Sequence, residues 1–225
     1  MRYVLILILL MSVAYAQQID NHLCGAYTDD PFFNIDFMQR NNVKSIRGQI
    51  AFKKELDIIR EQDLFELFEF DSLGRQISSI RTSNSIAGGK DTSIVYFNYD
   101  GHLLTLKRKS DTYGFFSDNY EYDSLNRIVK KTYCRDDNAG PDKFHFELKK
   151  QYVIVSEEYK YQSSELQLKK LHFNNYKRSF KEELYRTDKN GYLTEISSKT
   201  VIGNKRSKTT FEYDENGQVS KKIDQ

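Results

Sequence analysis

Four carboxylates, Asp71, Asp123, Asp188 and Asp214, recur in one local setting and are the first residues in this chain to test for chemistry. A calcium loop would need several oxygen ligands within about a dozen residues. Asp214-Glu215-Asn216-Gly217 and Asp188-Lys189-Asn190-Gly191 offer few, and Asp71-Ser72-Leu73-Gly74 fewer still. A glycosidase would need two carboxylates about 5 to 10 Å apart across a cleft, whereas one turn position repeated on successive hairpins lines a rim. Capping of a turn accounts for every copy. His22, His102, His145 and His172 have no metal-site spacing, and no histidine stands in a nucleophile setting with Cys24 or Cys134. No G-x-S-x-G, P-loop or dinucleotide fingerprint occurs. The expectation is a protein with no catalytic, cofactor or metal set.

Binding chemistry is better represented. Lys107-Arg108-Lys109, Lys130-Lys131 and Lys221-Lys222 each follow a turn by a few residues, and Lys149-Lys150 and Lys169-Lys170 lie elsewhere. If adjacent strands align them, Lys107, Lys109, Lys130 and Lys221 form an anion stripe for an acidic glycan or lipid headgroups. The alternative is a solvated sheet face with lysine-protected edges. An aromatic ladder, Phe68, Phe70, Tyr96, Tyr120, Tyr122, Tyr159, Tyr161, Tyr185, Phe211 and Tyr213, is either the core of a curled sheet or a wet groove for a sugar, peptide or acyl chain.

The element that must position these groups is a repeat, aromatic-x-aromatic-Asp-x-x-Gly-polar-x-apolar. Phe68 to Ile77 fits it fully, Tyr120 to Val129 puts Asn126 at the Gly position, and Phe211 to Val219 is the last copy. Val95 to Leu104, with Asn98 at the Asp position, Tyr159 to Leu166, and Tyr185 to Leu193 are looser copies. Marking the Asp position gives 71, 98, 123, 162, 188 and 214, so five steps are 27, 25, 39, 26 and 26 residues long. About 26 residues suffice for two strands, a tight turn and a looser one. Aromatics at i and i+2 share one strand face, Asp caps the turn through N–H groups two or three residues on, and Gly or Asn takes the left-handed position. Looser connections are expected at Ser83 to Asp91, Asp136 to Asp142 and Gly203-Asn204. The long step has room for an extra hairpin, built from Phe144-His145-Phe146 and Tyr152 to Val155.

At these residues, Phe68 to Lys222, the chain resembles the YD-repeat proteins related to RHS repeats, in particular their small exported bacterial members. The resemblance implies a curled, half-barrel or porin-like antiparallel sheet and carries no activity with it.

The remaining sequence frames this domain. Residues 1–16 combine Arg2, an apolar run and Ala14-Tyr15-Ala16, the layout of a secretory signal peptide, and no later apolar run suits a membrane helix. The expected product is exported, periplasmic or secreted, and soluble. Residues 17–42 form an N-terminal segment in which Asn34 caps a short helix. Residues 43–225 form the β-repeat domain, beginning with a strand over Val43 to Lys53 and a candidate bulge at Gly48. Cys24 and Cys134 either pair as a disulfide or remain as thiols. Sixteen Tyr and fifteen Phe favour sheet, and a net charge of +2, or +1 without Arg2, argues against nucleic acid. The sequence therefore specifies an all-β meander of about 12 to 14 strands acting as a non-enzymatic binding or scaffold module for a glycan, lipid or protein. A carrier of a lipid or apolar segment and a carbohydrate-active enzyme are the alternatives.

Overall fold

A computed structural model describes residues 33–85 and 88–225. Residues 1–16, the expected signal peptide, lie outside that range, as does Cys24. The helix forms where Asn34 predicts it: the Asn34 side chain accepts from the Phe37 amide at 2.9 Å, and α1 runs Ile35–Arg40 with Asp36 in its first turn and Arg40 in its last.

Thirteen antiparallel strands follow in one sheet whose spatial order equals sequence order. They are β1 Ser45–Phe52, β2 Arg60–Phe70, β3 Gln76–Asn84, β4 Lys90–Asp100, β5 Leu103–Asp111, β6 Gly114–Tyr122 and β7 Ile128–Asn138, then β8 Leu148–Ser164, β9 Gln167–Phe173, β10 Ser179–Thr187, β11 Leu193–Thr200, β12 Arg206–Tyr213 and β13 Val219–Asp224. The fold is all-β, as the repeat predicts. Strands β1 and β13 do not pair with each other, so the sheet is open.

In such a meander alternate connections lie at alternate ends. The β2/β3, β4/β5, β6/β7, β8/β9, β10/β11 and β12/β13 turns form one end, here the tight end. The β1/β2, β3/β4, β5/β6, β7/β8, β9/β10 and β11/β12 connections form the other, the loop end. At the tight end, five of the six hairpins carry a bulge at nearly the same place, at Ile77, Val129, Thr194 and Ser220, the second residue of the returning strand, and at Thr105, the third. Such bulges increase local twist. In β1 the register shift falls between Gln49 and Ala51, while Gly48 pairs regularly with Glu66; the bulge expected at Gly48 is therefore displaced.

The 39-residue step contains no extra hairpin. Tyr152 to Val155 lie inside the 17-residue β8, and Phe144 to Phe146 belong to the β7/β8 connection. The additional length becomes a longer strand and a loop that folds back over the sheet. With one layer the core is thin: among the described residues only Met38, Leu64, Phe70, Ile94, Cys134, Tyr159, Leu193 and Phe211 are buried hydrophobics.

Candidate functional site

Each tight turn is one hydrogen-bonded unit. Asp71 Oδ1 accepts from the Leu73 and Arg75 amides at 2.9 Å, the Asp71 amide donates to the Arg75 carbonyl, and the Gly74 amide donates to the Asp71 carbonyl. The same four bonds recur at Asp123, Asp188 and Asp214. The cap thus reaches residues two and four positions on. The fourth turn residue is left-handed in every copy, Gly74, Asn126, Gly191 and Gly217. A fifth copy, Asn174 to Arg178, sits at the loop end and escapes the aromatic-Asp-Gly pattern because Asn replaces Asp and Lys177 takes the left-handed place. Asn174 four residues before an Arg was its only sequence signal. In every copy Oδ1 is engaged by the turn, and at Asp71 and Asp123 Oδ2 also accepts from Arg75 and Arg127.

Cross-strand partners share a face and successive residues alternate, which sorts the candidate residues. One face, the tyrosine face, carries Phe68, Phe97, Tyr120, Tyr122, Tyr159, Tyr161, Tyr185, Phe211 and Tyr213. Tyr96 is on the opposite face, paired with Arg108 and Ser78. The reason is position: Tyr96 stands between Val95 and Phe97, the aromatic places of the copy marked at Asn98, and so faces away from them. The second copy is Phe97-Asn98-Tyr99-Asp100-Gly101, closed by the two-residue turn Gly101-His102, so Tyr99 is the true counterpart of Tyr122. The hydroxyls of Tyr99, Tyr122, Tyr161 and Tyr213 donate to the carbonyls of Gln76, Leu104, Ile128 and Leu193 at 2.6–2.9 Å, one equivalent bond per repeat. Turn residues of the preceding repeat cover three of these rings: Arg75 lies 4.7 Å from the centroid of Tyr99, Arg127 4.7 Å from that of Tyr161, and Tyr192 stacks on Tyr213 at 5.0 Å. Burial pushes the Tyr99 phenol up to about 12. Three members of the aromatic ladder, Tyr122, Tyr161 and Tyr213, are thus structural mortar between repeats.

The first aromatics of the repeats differ: Phe68, Phe97 and Tyr120 are half-buried, whereas Tyr159 and Phe211 are buried. Lys107 lies over Phe97, Lys131 over Tyr120 and Lys170 over Tyr159. Between β2 and β5 this face holds a groove of about 620 Å³ lined by Phe68, Phe97, Gln76, Ser93, Lys107 and Lys109, among others. Across it the Arg81 guanidinium meets Glu66 at 2.5 Å.

The anion stripe does not assemble. Lys107 and Lys109 are on the tyrosine face, whereas Lys130 and Lys221 are on the other, because the register pairs them with Glu121 and Glu212. Lys130 meets Glu121 at 2.6 Å and Lys221 meets Glu212 at 3.6 Å, equivalent ion pairs of two repeats, and Lys109 meets Asp111 at 2.7 Å.

A polar cluster that motif reasoning passed over occupies the tyrosine face at β8–β10. His172 Nε2 is 3.0 Å from Glu183 Oε2, and His172 Nδ1 is 3.8 Å from Glu157. Tyr185 and Lys181 also donate to Glu183, and Tyr159 to Glu157. Burial alone would raise the Glu183 carboxyl, but the bonds from His172, Lys181 and Tyr185 outweigh it and hold the group far below the ordinary carboxylate range. Only the three-dimensional register reveals the cluster, since Glu157, His172 and Glu183 follow no motif spacing. No group of three or more ligating side chains suited to a metal occurs among the described residues.

The opposite face is buried in its middle, under the β7/β8 loop. Phe146 of that loop packs on Tyr96 and Phe115 and lies 4.8 Å from the Arg108 guanidinium. Beneath it Arg108 and Ser117 both donate to Asp136 at 2.8 Å, and Lys143 ties the loop to Asp91 and the Thr92 carbonyl. Cys134 is a free thiol, 1% exposed, and burial raises its pKa. It has the environment of an inert core residue.

No family model matches the chain, and no curated protein matches it. Among solved structures it is similar to a porin-like protein from Bacteroides uniformis, at 9% identity and a TM-score of 0.37, over 81% of this chain and 93% of that one. Nothing is transferred from so distant a likeness. No helix among the described residues is long and apolar enough to cross a membrane.

Proposed function

We propose that this chain is an exported, non-enzymatic binding module that holds a saccharide chain along the tyrosine face, in the groove over β2–β5. The observation that carries the reading is the groove itself: Phe68 and Phe97 offer ring surfaces among hydrogen-bonding side chains, Gln76, Ser79, Ser93, Lys107 and Lys109. Stacking on a ring combined with several polar contacts suits sugars, which present C–H faces and hydroxyls together. A carrier of an apolar chain fits this surface less well, because Glu66, Gln76, Arg81, Lys107 and Lys109 line the groove beside its rings. Carbohydrate hydrolysis is also disfavoured, since the imidazole of His172 stands between Glu157 and Glu183 where a sugar would have to enter.

The test is a glycan array with the wild-type chain and the F68A/F97A double variant, alongside thermal melts. Binding that drops at least about tenfold in a folded variant, a loss of roughly 1.4 kcal/mol, supports the reading. Equal binding by both proteins, no binding at all, or turnover of a bound sugar removes it.

A further inference from the structure

The loop end of the sheet carries a row of exposed apolar side chains that the saccharide reading does not use. Leu56 is 102% exposed and Ile58 72% in the β1/β2 connection, Tyr113 81% in β5/β6, Tyr176 81% in β9/β10, and Ile202 85% in β11/β12. Large apolar side chains gathered at one end of a molecule mark an interaction surface. Neighbouring cations say with what. Arg178 follows Tyr176, Lys205 and Arg206 follow Ile202, and Lys53 and Lys54 precede Leu56, all of them exposed. Arg178, Lys205 and Arg206 have no ion pair among the described residues. Glu55 and Asp57 also flank Leu56, and the tight end exposes Leu73 and Leu125, but its tips bear Asp71, Asp123, Glu165, Asp188, Asp214 and Glu215, and the cations Arg75 and Arg127 there are paired with Asp71 and Asp123.

We propose that the loop end docks on an anionic lipid surface, with Tyr176, Val201 and Ile202 entering the interface and Arg178, Lys205 and Arg206 meeting headgroup phosphates. Hairpin tips two strands apart stand about 10 Å from each other, so the β9/β10 and β11/β12 tips reach one surface together. The Val201 amide bonds to the Phe180 carbonyl at 2.8 Å, fixing the second tip against the strand that leaves the first. Tyrosine at the headgroup level beside aliphatic tips and basic neighbours is the composition an interfacial anchor needs. Docking at this end leaves the tyrosine face free for its own ligand.

The experiment is cosedimentation of the wild-type chain with vesicles of phosphatidylcholine alone and with phosphatidylglycerol added. Binding is expected only with phosphatidylglycerol and weaker at high salt. The Y176S/I202S variant should bind about tenfold more weakly, and R178E/K205E/R206E should not bind, while L73S/L125S at the tight end, compared by circular dichroism and melting, should match wild type. No binding, equal binding to both vesicles, or equal loss in the tight-end variant overturns the proposal. So does a dimer in sedimentation that Y176S/I202S abolishes, which would assign the surface to a second copy of this chain. Glycan binding by Y176S/I202S should be unchanged, which separates this outcome from that of the saccharide site.

Discussion

Where β2 turns into β3 the chain reverses in five residues fixed by Asp71, and Leu73 at the tip is 41% exposed; where β11 turns into β12, at the opposite end, five residues also reverse it, but Ile202 projects 85% exposed. The difference is one of what closes the turn. At the tight end an acceptor side chain satisfies two amides, a left-handed residue completes the reversal, and the next side chain, Arg75 or Arg127, swings back over the following repeat. At the β11/β12 turn Thr200 Oγ1 takes one amide, that of Lys205, at 3.2 Å, the Val201 amide bonds to the Phe180 carbonyl, and Ile202 projects beyond them. One end is built to join repeats and the other is left available to meet something else.

The sharpest test compares two glycines of nearly equal φ. Gly74 (φ +77°) and Gly203 (φ +78°) both lie in the left-handed region, but a Cβ on Gly74 would stand 2.4 Å from the Ile35 carbonyl oxygen and 2.7 Å from the Gln39 amide of α1, whereas one on Gly203 would meet nothing within 4 Å. G203A should cost about 1 kcal/mol, the left-handed penalty alone. G74A adds a collision with helix backbone and should cost about 3 kcal/mol or more, read by urea unfolding and by loss of helical signal. Equal costs would show that α1 does not rest on the turn.

Next in size is D71A, which removes the acceptor for two amides and the partner of Arg75 at 2.6 Å. A loss of about 2 kcal/mol is expected, against about 0.5–1 kcal/mol for T200A, where a single neutral bond is lost. Chemical denaturation of both variants ranks the two ends directly.

How much of this was legible in the sequence follows from the same contrast. The tight turns could be read because Asp and Gly are demanded by local backbone geometry, and local demands leave local patterns: Asp71, Asp123, Asp188 and Asp214 all do what their spacing indicates. Facing was harder. Side chains one residue apart face opposite ways, and Tyr96, between Val95 and Phe97, stands one residue off the aromatic places of its copy. The lysine stripe failed for the same reason, as Lys130 rather than Lys131 turned out opposite Lys109 in facing. His172, Glu157 and Glu183 meet only through register between three strands, and the fold-back of Phe146 depends on loop packing, so neither leaves a signal in spacing.

Acid should separate the ends without any mutation. Burial would raise the Asp71 carboxyl, but the bonds from Arg75 and Leu73 win and lower it; at Asp123 the Arg127 side chain, then the Arg127 amide, lower it. A carboxylate depressed in the folded state contributes stability above its unfolded value near ~4 and loses it as pH falls through the folded value. In an NMR titration, the amides of Leu73, Arg75, Leu125 and Arg127 should therefore shift with midpoints below about 4, while those of Tyr176 and Arg178, capped by the non-titrating Asn174, should not follow. Parallel shifts at both ends would show general unfolding instead.

The smallest effect comes from making one loop-end turn resemble its counterparts. Lys177 occupies the left-handed position of the Asn174 turn at φ +58°, where Gly74, Gly191 and Gly217 stand in three of the tight turns. An L side chain there costs about 1–2 kcal/mol; replacing it with glycine recovers that, less about 0.4–1 kcal/mol for the freer unfolded chain, and less a few tenths for the exposed ion pair between Lys177 and Glu158. K177G should thus stabilise the protein by about 0.5 kcal/mol, measurable as a shift of the urea midpoint at unchanged slope. If the gain appears, the loop end falls short of the tight end in turn chemistry and could have been built as firmly. A loss instead would mean that the Lys177 ion pair outweighs the backbone strain, and that the Asn174 turn is held by its side chains in a way the glycine-closed turns are not.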